Sequence, residues 1–197
     1  MIVPDSDEIQ SALSASWGLM RGRADALRAL NLTADGFWNS FFAMVVALPA
    51  LLALWTGEAI ELAPGAGIVG ERVGLVLRFA VIEAFSWVLP IVVVAWALNR
   101  IGLRNRIAAF VIANNWGSAL MVWIILPIML VYRLVPSMME IAALLMFLLF
   151  IASLALFWRL NNAVLAQGAV APTLAVAAMV LMSIVIDYWL RLALAIP

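Results

Sequence analysis

The chain has 197 residues, 68% of them hydrophobic, with mean hydropathy +1.15 and eleven basic residues balanced by eleven acidic ones. A soluble domain is typically about 45–50% apolar, so this excess calls for lipid as solvent, and a net charge of zero gives no pull toward nucleic acid. Cysteine and histidine are both absent, which excludes disulfides, thiolate nucleophiles, His-ligated haem and Cys/His zinc sites.

The first residues are acidic (Asp5, Asp7, Glu8), so no positive n-region of a cleavable signal is expected. Residues 6–30 are amphipathic: Ile9, Leu13, Trp17, Met20, Leu27 and Leu30 recur at helical steps, with a break around Ala24. Ser6 is the expected N-cap, with Asp7 and Glu8 facing the helix dipole. Arg21, Arg23 and Arg28 gather toward the far end. Two placements suit a Trp17-bearing stripe beside arginines. The helix lies flat among lipid headgroups, or it packs on the cytoplasmic face of the bundle that follows.

Five apolar stretches then fill the chain: Phe37–Trp55, Leu75–Leu98, Ile107–Tyr132, Met138–Trp158 and Pro172–Ile196. A helix needs roughly 20 residues to cross a bilayer. The expected fold is therefore all-α: an integral membrane protein with an amphipathic cytoplasmic or interfacial helix in residues 1–35 and a bundle of five transmembrane helices in residues 36–197. Thr33 or Asp35 caps the first span, and Trp38 and Trp55 bracket it as interfacial aromatics do. Thr56–Gly70, with Glu58, Glu61, Pro64 and four glycines, reads as an acidic external loop. A phosphate cradle there is rejected, because no strand precedes it and no Lys-Ser/Thr follows. Asn99–Arg106 is a short turn with three arginines. Val135-Pro136-Ser137 is another turn, and Asn161 and Asn162 are expected in the next. Ala163–Ala171 either extends the last helix or forms its interfacial lead. Pro49, Pro90, Pro127 and Pro172 are expected to interrupt their spans.

Arginine placement sets the orientation. The N-terminal segment, the Asn99–Arg106 turn and the turn near Arg159 alternate onto one side, and short Arg-rich loops stay cytoplasmic. The expected location is a bacterial inner membrane, with the N-terminus cytoplasmic and the C-terminus periplasmic.

Polar residues inside the spans are the candidates for function. Glu83 lies roughly 12 Å inside the outer end of the second span, with Arg78 above it and Asp187 and Arg191 at a comparable level. These residues form either a proton- or substrate-handling site or a structural pair of Glu83 with Arg78 or Arg191. Asn114, Asn115 and Ser118 form a second island, either interhelical glue or a polar site for a headgroup or solute. Asn161 and Asn162 could meet it. No nucleophile–base pair is present, so neither enzymatic activity, nor a cofactor, nor a bound metal is expected.

The segment Asp35-Gly36-Phe37-Trp38-Asn39-Ser40-Phe41-Phe42, the Asn115-Trp116 pair after an Arg-rich turn, and five spans after an amphipathic start resemble a group of uncharacterised alphaproteobacterial membrane proteins. That group is loosely similar to the bacterial Yip1-type five-helix proteins. The resemblance implies a helical inner-membrane protein. Eukaryotic Yip1 relatives act in membrane traffic by binding small GTPases and shaping membranes, but no residue-level site for that is matched here. The expected function is a non-enzymatic accessory or scaffold protein whose partners are membrane lipids, other membrane proteins or further copies of itself, and not nucleic acid. The alternative is a small transporter or channel with Glu83 and Asn114/Asn115 lining the path.

Overall fold

The computed structural model describes residues 3–65 and 69–196. The described residues form seven α-helices and four short 3-10 turns, and no strand occurs among them. The first helix, α1, spans Ser6–Met20. Asp5, not Ser6, caps it: its Oδ1 accepts the Glu8 N–H at 2.7 Å. The helix stops because Gly22 takes φ +87°, with the Gly22 N–H donating to the Leu19 carbonyl and the Arg23 N–H to the Gly18 carbonyl. That is the double-bonded glycine stop of many helices, and it accounts for the break in periodicity near Ala24. A 3-10 turn at Ala24–Ala29 then folds back on α1.

Of the expected stripe, Met20 and Leu30 are buried, and Ile9, Leu13 and Leu27 pack partly buried on the core, while Trp17 is exposed. Ala12, Ala15, Ser16, Gly18 and Leu19 are buried as well, so small residues beside the stripe let the backbone come close to the bundle.

Thr33 caps the one-and-a-half-turn helix α2, Ala34–Asn39, by accepting the Gly36 N–H at 3.2 Å. A 3-10 turn, Ser40–Phe42, leads into α3, Ala43–Leu62. This helix runs past Trp55, so Glu58 and Glu61 stand on a helix and not on the expected loop; Gly67 of that loop lies outside the described residues. Trp38 is exposed but Trp55 is buried, so only the first of these two flanking tryptophans faces outward.

Helix α4 spans Val69–Arg100, 32 residues, or about 48 Å at 1.5 Å per residue. Gly102 at φ +81° ends it. Helix α5 is Ile107–Leu134 and α6 is Met139–Leu165, so Asn161 and Asn162 lie in the last turns of α6 and not in a loop. Ala163–Ala171 is divided: its start completes α6, and its end opens α7, Val170–Ala193. Pro49, Pro90 and Pro127 stand inside α3, α4 and α5. Pro172 interrupts nothing, because it falls in the first turn of α7, where the N–H has no helical partner anyway.

Helix α5 is the centre. Its first half, from Ala109 to Met121, is almost wholly buried and packs on α1, α2, α3, α4 and α6. Helix α7 closes the far side against α4 and α6. The turns alternate between two ends. At one end Arg106 Nη1 approaches the Val164 carbonyl at 3.5 Å. At the other, Arg72 donates to the Ala63 carbonyl at 3.0 and 2.9 Å and to the Gly65 carbonyl at 2.9 Å. There too Arg133 Nη1 donates to the Leu54 carbonyl at 2.7 Å. Arg133 Nε lies 2.9 Å from Glu61 Oε1, an ion pair in distance whose N–H is not aimed at the oxygen. Among the described residues five helices, counting α2 and α3 as one, are long and apolar enough to cross a membrane. In the most apolar window of the α6 span only 6% of residues are buried within the chain, so its outward face of Leu144, Phe147, Leu148 and Ile151 is left for apolar surroundings.

Candidate functional site

Helices α4, α5, α6 and α7 line a cavity of about 950 Å³ that is open to the surroundings on one side. Helical spacing brings its lining residues to one face of each element. On α4, Glu83, Ser86, Trp87 and Pro90 follow steps of three, one and three; on α7, Val176, Val180, Ser183, Asp187 and Arg191 follow steps of three or four. The walls are mostly apolar: Ile91, Val122, Ile125, Phe150, Leu154 and Met179 contribute. Glu83, Asp187 and Arg191 line the cavity together, Ser86 and Ser183 stand about one helical turn from Glu83 and Asp187, and Ser118 and Ser153 also line it.

Arg191 bonds two carboxylates there. Its Nε donates to both carboxylate oxygens of Asp187 at 3.0 and 2.9 Å, and its Nη1 donates to Glu58 Oε1 at 2.8 Å. The guanidinium also lies 5.4 Å from the Phe79 ring centre. Arg78 Nη1 points to the Ala195 carbonyl at 3.5 Å. Neither arginine takes Glu83, so the expected structural pair does not form. Among the described residues the Glu83 carboxylate is in no salt bridge, and it faces the cavity.

Pro90 explains the serine contact below it. Having no N–H, Pro90 leaves the Ser86 carbonyl without its helical donor. Ser183 Oγ of α7 supplies a substitute at 3.4 Å. The Ser86 hydroxyl itself is buried with no hydrogen-bond partner among the described residues.

The asparagine island is separate from this cavity. Asn114 and Asn161 exchange amide hydrogen bonds at 3.0 and 3.2 Å, and each also donates to the carbonyl four residues back, Phe110 at 2.8 Å and Phe157 at 2.9 Å. Asn115 accepts the Trp87 indole N–H at 3.0 Å and donates to Ser40 Oγ at 2.9 Å, which donates in turn to the Phe37 carbonyl at 2.7 Å. Gly117 sits beside Met20, Leu160 and Phe157, where α1 and α6 approach α5. Asn114, Asn115 and Asn161 are completely buried. Thus Glu83, Ser118, Asp187 and Arg191 meet at the cavity, while Asn114 and Asn115 do not line it. Trp87 belongs to both sets, since it lines the cavity and bonds Asn115.

Trp17, Arg21, Arg23 and Arg28 lie exposed together at the α1 end, with Arg23 near Asp25 at 3.7 Å. Sequence reasoning missed Glu8, whose carboxylate accepts from Asn31 Nδ2 at 2.9 Å and Asn39 Nδ2 at 3.4 Å and so fastens α1 to α2. It also missed Glu58 as the second partner of Arg191, and Ser86 and Ser183 as cavity groups. Among the described residues no cluster of carboxylates could hold a metal ion. No protein-family model, curated protein or solved structure matches the chain.

Proposed function

We propose that this chain is a non-enzymatic, multi-pass protein of a bacterial inner membrane, N-terminus cytoplasmic and C-terminus periplasmic, which acts as an accessory or scaffold by holding a membrane-soluble molecule between α4, α5, α6 and α7. The observation that carries this reading is the cavity: about 950 Å³, with apolar walls and a few convergent polar groups at one end. Ligand sites have that size and that polarity pattern. The α1 end, with its exposed tryptophan and arginines, suits the headgroup zone. The outward face of α6 suits hydrocarbon, or a neighbouring protein or second copy of the chain.

Purification from native membrane in a gentle detergent, followed by native mass spectrometry, tests the reading. A retained lipid, lipophile or partner chain supports it. A bare monomer in every preparation overturns it.

A second reading, a small transporter, is favoured by one observation. Glu83 faces the cavity with no ion partner among the described residues, and carboxylates within spans mark many solute and proton paths. Liposome flux that collapses in Glu83→Gln would establish it over the accessory role.

A further inference from the structure

We propose that the cavity takes a lipophilic cation, a single apolar chain ending in an amine or quaternary ammonium, with Glu83 as its counter-ion. The inference deepens the ligand-chamber reading and rests on it. Three acidic side chains, Glu58, Glu83 and Asp187, share this end with two arginines: Arg191 is bonded to Glu58 and Asp187, and Arg78 points to the Ala195 carbonyl. Acids thus outnumber bases by one, and Glu83 is the acid with no ion partner among the described residues. A carboxylate or phosphate headgroup would meet like charge there. An ammonium would meet an unpaired carboxylate where the dielectric is low and Coulomb attraction is strong. Tyr188 also lines this end, and an aromatic ring beside the site suits a cation. Below Glu83 the α4 wall runs through Trp87 to Ile91, about 12 Å of largely apolar lining at 1.5 Å per residue. That is a slot for a hydrocarbon tail and not for a second headgroup.

The full chain in phosphatidylcholine nanodiscs is titrated with four probes that share one alkyl chain: dodecyltrimethylammonium, dodecanoate, dodecylphosphocholine and dodecyl maltoside. Tryptophan fluorescence and thermal unfolding report binding. The ammonium is expected to bind at least about tenfold more tightly than the other three, and Glu83→Gln is expected to erase that preference. Val180→Trp keeps the carboxylate and narrows the chamber, so it is expected to weaken binding of every probe. Equal binding of all four probes, or an ammonium preference that survives Glu83→Gln, would overturn the charge assignment and leave the chamber standing. Binding unchanged by Val180→Trp, or no binding of any probe, would remove both.

Discussion

At the residue scale, the asparagines show how a buried amide is tolerated in an apolar protein. Asn114 and Asn161 each satisfy the other and borrow a carbonyl from their own helix. Removing one leaves its partner buried and half-satisfied, which costs more than removing both. Asn114→Leu is therefore expected to lower stability by about 1–2 kcal/mol. Asn114→Leu with Asn161→Leu should recover part of that loss, as read in a double-mutant cycle of unfolding in detergent or bicelles. A cycle with additive losses would show that the two amides do not act as a pair. Gly36 is a second single-residue constraint. A Cβ there would run into the Asn31 backbone carbonyl, which cannot swing away as a side chain can. Gly36→Ala should reduce thermal stability clearly, whereas Gly117→Ala, which meets only side-chain ends, should do less. The asparagines stood out in the sequence because polar residues are scarce within the spans. The missing partner of Glu83 did not, because sequence fixes its depth along α4 but not which neighbouring helix has already claimed Arg191.

At the element scale, hydropathy located the five long apolar helices found among the described residues, yet it could not say where the helices end. Helix α3 carries on through Glu58 and Glu61 because its backbone bonds continue and those carboxylates find Arg191 and Arg133. The partners lie 133 and 72 positions away along the chain, out of reach of any local pattern. Helix α6 likewise continues to Leu165, since Asn161 is needed against Asn114. The proline positions were legible, and their consequence can be tested. If Ser183 serves the carbonyl freed by Pro90, then Ser183→Ala should be destabilising in the parent and near neutral in a Pro90→Ala background, where an N–H returns to position 90. Equal effects in both backgrounds would separate the two residues. The attachment of α1 has its own test. Glu8→Ala removes both bonds to Asn31 and Asn39, so limited trypsin digestion should cut at Arg21, Arg23 and Arg28 faster than in the parent, with cleavage elsewhere unchanged.

At the scale of the whole molecule, the turns alternate between two ends, and their charges differ. Arg100, Arg104 and Arg106 gather in the α4–α5 turn, near the end of α6. Glu58, Glu61 and Glu71 collect at the opposite end, where Arg72, Arg133 and Arg191 are tied to carbonyls or carboxylates. The free positive charge thus lies at one end, and short loops rich in arginine remain on the cytoplasmic side. The chain contains no cysteine, so a single introduced thiol reports its side without background. Asn105→Cys and Ser137→Cys place thiols on exposed residues of the α4–α5 and α5–α6 turns. A membrane-impermeant maleimide added to intact spheroplasts should label Ser137→Cys and spare Asn105→Cys, and disrupting the membrane should make both reactive. A reporter fused after Pro197 should be active in the compartment that labels Ser137→Cys, because α6 and α7 make two crossings between them. Labelling of both thiols from outside would mean that α5 does not cross. Labelling of Asn105→Cys alone would invert the orientation, placing the free arginines and the α1 surface on the periplasmic face and turning the Glu83 end of the cavity toward the cytoplasm.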